Sequence, residues 1–265
     1  MLDFLGYLGQ LILLTLGTFV ACGFAAWLAE RLFVRMAGST KFVYVSSVIG
    51  TPIHELGHAI MCLLFGHKIT EMRLLLPPNH PSGTLGYVQH SYNPRNPWAR
   101  LGNLFIGIGP IFSGMGVMIL MLFLCFPEQW GDYVATSSAL SLGESSFGDV
   151  VSGVFSLLLS LPAAFADKWW AALIGIIVIL AVSQHVTLSG ADIKGALSSL
   201  LIYLPLLLIF AIVTALCGVQ EAILSGLWIA NLWMLSLFAI AIAFSLVWIL
   251  IALVILLCRL IRKAF

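Results

Sequence analysis

The sequence predicts an all-α polytopic membrane protein of about six transmembrane helices, with a small β-hairpin at the membrane edge. Three observations predict it. The 265 residues are 61% hydrophobic and only 9% charged, and their mean hydropathy is +1.09. Soluble domains carry about 25% charged residues, so this chain has too few to cover a water-facing surface. Apolar runs recur that are each long enough to cross a hydrocarbon core of about 30 Å as a helix. Residues 66–100 are instead dense in Pro, Gly and Asn, with two short strand-like runs between these breakers.

Taken in order, the first span is expected over 8–28, ending at Glu30, Arg31 and Arg35, and the second over 42–65. Asp3 and the lack of a basic region before the first run argue against a cleaved signal peptide. The strands of the turn-rich stretch are expected at 68–76 and 84–92, and the third span at 101–126. A loop over 127–168 then holds Glu128, Asp132, Glu144, Asp149 and Asp167 against Lys168 alone. Its apolar part, 150–165, is interrupted by Gly153 and Pro162 and reads as interfacial. The fourth span follows at 169–188 and the fifth at 200–217, while the sixth lies within 224–257, a stretch longer than one span needs. The chain thus divides into a first helix with its connection (1–41), a core holding spans two to four (42–198) and two carboxyl-terminal helices (199–265).

Charge sets orientation and excludes some partners. The net charge of +1 leaves no footprint for nucleic acid. Lys68, Arg73, Arg95 and Arg100 outweigh Glu71 in the turn-rich loop, and Arg259, Arg262 and Lys263 mark the carboxyl tail. Positive segments stay cytoplasmic, so both termini are expected on that face, with Arg31, Arg35 and Lys41 as the dissenting feature. Cys22, Cys62, Cys125, Cys217 and Cys258 show no C-x-x-C pairing and read as small packing residues.

The second apolar run carries His54-Glu55-Leu56-Gly57-His58. Residues four apart on a helix lie about 40° from each other, so both imidazoles reach one Zn²⁺ while Glu55, about 100° from His54, addresses its water. This is the H-E-x-x-H arrangement of metalloproteases, which chance places in about three such chains per thousand. A glutamate amid an apolar span costs about 2.5–3.5 kcal/mol on insertion scales, so it rarely sits there without a partner. Gly50-Thr51-Pro52 just before it reads as a helix start, with Thr51 as N-cap and Pro52 at the first position; a proline kink is the alternative.

A zinc ion with three protein ligands and a water needs one more donor. Of the five aspartates, Asp3 is terminal, Asp132, Asp149 and Asp167 fall in the acidic loop, and Asp192 alone ends an apolar span. Asp192 is therefore the expected third ligand, against a surface pairing with Lys194. His185, seven residues earlier, is an alternative ligand, a donor to substrate or oxyanion, or a buried hydrogen-bonding histidine. His67, His80 and His90 read as ordinary loop histidines.

At these residues the chain resembles the site-2 protease family of intramembrane zinc metalloproteases. The resemblance rests on His54-Glu55-Leu56-Gly57-His58, on an aspartate two spans later and on Gly109-Pro110 between them, and it covers roughly Phe42 to Gly195. It is nearest to the compact bacterial and archaeal branch with a His-x-x-x-Ser-x-x-Asp pattern, here His185, Ser189 and Asp192, without a PDZ-like insertion. The resemblance implies a three-helix core, zinc on His54, His58 and Asp192, Glu55 as general base, and cleavage of a membrane-embedded segment near the cytoplasmic face. One departure concerns the group that polarises the substrate. Many members carry Asn-Pro-x-Pro…Leu-Asp-Gly, where this chain has Ala191-Asp192-Ile193, with His185 near the position of that asparagine.

The expected activity is therefore endoproteolysis of a membrane protein with a transmembrane helix, in a prokaryotic cytoplasmic membrane. His185 is a candidate for the oxyanion, and the hairpin for capture of an unwound substrate strand by edge pairing. A metal-binding membrane protein without protease activity, a transporter or an inactive relative, is the rival reading. An accessory subunit stays open.

Overall fold

The computed structural model describes residues 4–37, 40–81, 83–138 and 147–264. The chain starts as α1 (Phe4–Ile12), widens into a π-helical turn over Leu13–Gly17 and continues as α2 (Thr18–Ala37), giving one apolar helix of 34 residues. Such widened turns form where the regular hydrogen-bond ladder is perturbed. Here the Thr15 hydroxyl donates to the Leu11 carbonyl at 2.7 Å and accepts from Tyr203 at 2.6 Å.

α3 (Thr40–Leu64) follows, and Pro52 lies inside it. The expected helix start at Thr51 is therefore corrected: the helix is already established at residue 40, and Pro52 only removes one ladder donor. α3 ends in a glycine cap. Gly66 has φ +71°, its N–H meets the Leu63 carbonyl at 3.3 Å, and the His67 N–H meets the Cys62 carbonyl at 2.8 Å. These are the two reversed bonds of a Schellman turn.

The hairpin forms where expected. β1 (Lys68–Arg73) and β2 (Tyr87–Ser91) pair antiparallel, Ile69 opposite His90 and Arg73 opposite Tyr87, with an irregularity between Ile69 and Glu71. On the exposed face the Tyr87 hydroxyl donates to Glu71 at 2.6 Å and Arg73 adds a contact at 3.4 Å. The Tyr87 hydrogen bond, with the smaller help of Arg73, holds the Glu71 carboxyl below its usual range.

α4 (Pro97–Cys125) begins with Asn96 accepting the Trp98 N–H at 3.0 Å and Pro97 in the first turn, the usual start for a helix. It packs antiparallel on α3 with the backbones nearly touching. A Cβ on Gly57 would fall 2.6 Å from the Gly109 carbonyl oxygen, and one on Gly109 would fall 2.6 Å from that of Gly57. Small residues permit this approach, which is how apolar helices gain dispersion contacts without a hydrophobic drive.

The acidic stretch departs from expectation. It folds into α5 (Pro127–Ser137) and α6 (Phe147–Ser160), and α6 runs through a short 3₁₀ turn (Leu161–Ala163) into α7 (Ala164–Ser183). Gly148–Ser183 is thus one apolar helical stretch of 36 residues, bent at Lys168, rather than an interfacial loop before a span. Glu144 lies outside the described residues.

After α7 the chain is irregular until α8 (Gly190–Ser198), which bends by 52° into α9 (Leu200–Leu216). The last stretch is one helix, α10 (Gln220–Ala264). Among the described residues four helices are long and apolar enough to cross a membrane, five if the bent α8–α9 pair is one span. That is fewer than the sequence predicts. α3 is not among them, because Ser46, Ser47, Thr51, His54, Glu55 and His58 dilute its apolar character.

α10 lies along the first helix in parallel. The Asn231 amide donates to the Leu14 carbonyl at 2.8 Å and its oxygen meets the Thr18 hydroxyl. Further along, Trp248 packs on Phe33, and Arg259 reaches the Ala37 carbonyl at 3.3 Å. The chain's two ends therefore sit at opposite ends of this pair, and the expectation of both termini on one face finds no support. The main core, with Ile111, Met118 and Leu122 of α4, Ile179 and Val182 of α7, and Phe238 and Ile240 of α10, holds these helices together.

Candidate metal centre

His54 and His58 project from one face of α3, one turn apart, with ring centroids 5.0 Å from each other. Each ring is fixed by its Nδ1. That of His54 meets the His185 carbonyl at 3.0 Å, and that of His58 meets the Ile106 carbonyl at 2.7 Å. A carbonyl only accepts, so both Nδ1 atoms donate and both Nε2 atoms, which carry the lone pair in a neutral ring, are left to face Asp192.

Asp192 comes from α8. It is the third residue of that helix and closes a capping box with Ser189: the Ser189 N–H donates to Oδ2 at 2.7 Å, and the Asp192 N–H donates to the Ser189 hydroxyl at 3.2 Å. The box holds the carboxylate toward α3. Oδ1 lies 3.2 Å from His58 Nε2 and Oδ2 lies 3.9 Å from His54 Nε2. α4 supports the approach from behind, since a Cβ on Gly107 would fall 2.6 Å from the Asp192 carbonyl oxygen.

One nitrogen or oxygen from each of His54, His58 and Asp192 lies within 4.8 Å of the others. Tetrahedral zinc bonds of about 2.0–2.1 Å place ligand atoms about 3.3 Å apart, so the cluster needs only a small contraction around an ion. The donor set fits Zn²⁺. Three protein ligands also leave one position for water.

Glu55 is buried at 6% exposure beside this cluster and lines a cavity of about 570 Å³ together with His54, His58, His185 and Asp192. The loop into β2 closes over it: a Cβ on Gly86 would fall 2.8 Å from Glu55 Cγ and 2.8 Å from Thr51 Cγ2. His185 lies outside any helix, in the irregular stretch between α7 and α8. Its carbonyl orients His54, while its ring packs on Gly50 and lies 3.5 Å from the Ser46 hydroxyl.

Sequence reasoning missed three groups on this cavity. Glu30 of α2 accepts the Thr187 hydroxyl at 3.1 Å and lines the same space. Thr51 Oγ1 and Gln184 Oε1 are buried without a hydrogen-bond partner among the described residues, and both residues line the cavity. Glu30 marked the expected end of the first span, and its place on the cavity follows from the helix continuing to Ala37. His80 falls outside the cavity lining, but His90 belongs to it. No family model, curated protein or solved structure matches the chain.

Proposed function

We propose that this chain is a zinc-dependent intramembrane endopeptidase of the site-2 protease type, hydrolysing a peptide bond in or near a transmembrane segment of a membrane-protein substrate. The observation that carries the reading is the convergence of two Nε2 atoms and the Asp192 carboxylate next to a buried carboxyl, Glu55, in a molecule of long apolar helices.

His54, His58 and Asp192 would hold the ion, and α3, α4 and the α7–α8 segment form the helical core around it. Zinc bound there supplies Lewis-acid activation of a water and of the scissile carbonyl. Glu55 takes the proton from the attacking water and returns it to the leaving amine. The carbonyls of His185 and Ile106 keep both imidazoles in the ligating tautomer, the arrangement that orients metal-bound histidines. Residues 83–88 line the cavity beside Glu55, so an unwound substrate strand lying along them comes within reach of that base. His185 contributes through its backbone, and its ring and the Thr51 hydroxyl, both on the cavity, are candidates for holding the substrate carbonyl.

The test compares membrane-peptide proteomes of cells carrying the native chain and Glu55→Gln. The reading expects a substrate fragment to disappear in Glu55→Gln while the purified variant keeps its zinc. Unchanged processing of every membrane peptide counts against it and favours a metal-binding protein without protease activity.

A further inference from the structure

A second cluster of metal-ligating side chains lies beyond the first along α3. Cys62 is one turn past His58, its side chain fully buried at 0% exposure. The glycine cap at Gly66 folds the chain back so that His67 stands next to Cys62, and strand pairing at Ile69 carries His90 onto the same spot. One ligand atom from each of Cys62, His67 and His90 lies within 4.8 Å of the others. We infer that Cys62, His67 and His90 form a second zinc-class metal site, which clips the β-hairpin to the carboxyl end of α3.

The ring chemistry follows the pattern of the first centre. His67 Nε2 meets the Ala99 carbonyl at 2.7 Å, so it carries the proton and Nδ1 is left as a lone pair. That lone pair faces His90 Nδ1 at 2.9 Å. His67 is buried at 4% exposure and stacks on Tyr92 with ring centroids 4.6 Å apart, so its ring is fixed in this orientation. A backbone carbonyl anchoring the far nitrogen of a buried histidine is the outer-shell device that orients metal ligands. One thiolate and two imidazoles suit a borderline-soft ion such as Zn²⁺, at about 2.3 Å to sulfur and 2.0–2.1 Å to nitrogen, with one position left open. Without an ion the same geometry is a His90-to-His67 hydrogen bond beside an idle thiol. The two cases predict different metal content.

The site joins the end of α3, the turn after it and β2. His90 also lines the cavity that holds Glu55, so the clip fixes the strand that covers the first centre. The inference stands on its own ligands and does not depend on protease activity.

The experiment loads the full-length protein in detergent with Zn²⁺ or with Co²⁺ as a spectroscopic probe. The native chain is expected to hold roughly two ions, and its Co²⁺ form to show a thiolate-to-metal charge-transfer band in the near ultraviolet. Cys62→Ser should lose that band and one ion while the His54–His58–Asp192 ion remains. His90→Gln, a milder change on the half-buried hairpin, should also lose one ion and serves if Cys62→Ser does not fold. Asp192→Ala should keep the charge-transfer band. A native chain with no thiolate band, or a band that survives in Cys62→Ser or is unchanged in His90→Gln, overturns the inference.

Discussion

His54, His58 and Asp192 show how much a few ring protons and one capping box decide. The spacing of the two histidines and the elimination of the other aspartates single out three residues that the fold brings within 4.8 Å of one another. The capping role of Asp192 was not legible, since it required knowing that α7 stops at Ser183 and a new helix begins at Gly190. Asp192 caps α8 and, in the proposed centre, would also hold the ion, and substitutions separate the two roles. Ser189→Ala removes only the capping hydroxyl; it should lower thermal stability in detergent by about 0.5–2 kcal/mol and retain zinc. Asp192→Ala should cost a similar amount and also release the zinc held by His54 and His58, seen by metal analysis of the purified protein. His185 is the residue whose role changed most. Sequence spacing drew attention to its imidazole, whereas its carbonyl is the atom that touches His54. Backbone contacts of that kind leave no trace in side-chain patterns.

Among the elements, α3 and α4 are legible from hydropathy, and their contact is legible in hindsight at Gly57, the central glycine of the motif. Gly57→Ala should push the two helices apart, because its methyl would fall 2.5 Å from the Ser113 hydroxyl and 2.6 Å from the Gly109 carbonyl oxygen. Overpacking of this kind costs about 1–3 kcal/mol, and the measurement is the midpoint of thermal unfolding in detergent. Zinc affinity should fall with it, since His58 takes its orientation from Ile106 on α4. The segment before α7 is helical where a loop was expected, for a definite reason. Gly153 and Pro162 look like breakers, but Val150, Val154, Leu157 and Leu161 are all buried and follow a helical stripe. Gly153 fits inside α6 near the Tyr133 ring, and Pro162 sits in the first positions of a 3₁₀ turn where no donor is needed. The hairpin was placed well because Pro and Gly bracket its strands, while its position over Glu55 depends on tertiary packing that no local pattern records.

Across the whole molecule, the first and last helices run side by side in the same direction, held by Asn231 against Leu14 and Thr18 near one end and by Trp248 against Phe33 further along. Counting apolar runs missed this. Six equal spans return a chain to its starting face, but a 34-residue first helix, a 36-residue bent stretch and a 45-residue last helix are not equal spans. Tags at the two termini should therefore become accessible from opposite faces of sealed vesicles; access to both from one face would contradict the parallel pairing. Asn231→Leu should weaken the pair by about 0.6–1.7 kcal/mol, the range of polar contacts between membrane helices, read as a lower thermal midpoint in detergent.

The central claim is that three side chains from two helices share one zinc ion next to a glutamate. X-ray absorption at the zinc edge tests it most directly, on Cys62→Ser protein so that only the first centre contributes. A shell of nitrogen and oxygen alone at about 2.0–2.1 Å is expected, lost when Asp192→Ala is added. Cys62→Ser protein that holds no zinc, or zinc whose shell is untouched by Asp192→Ala, would contradict it.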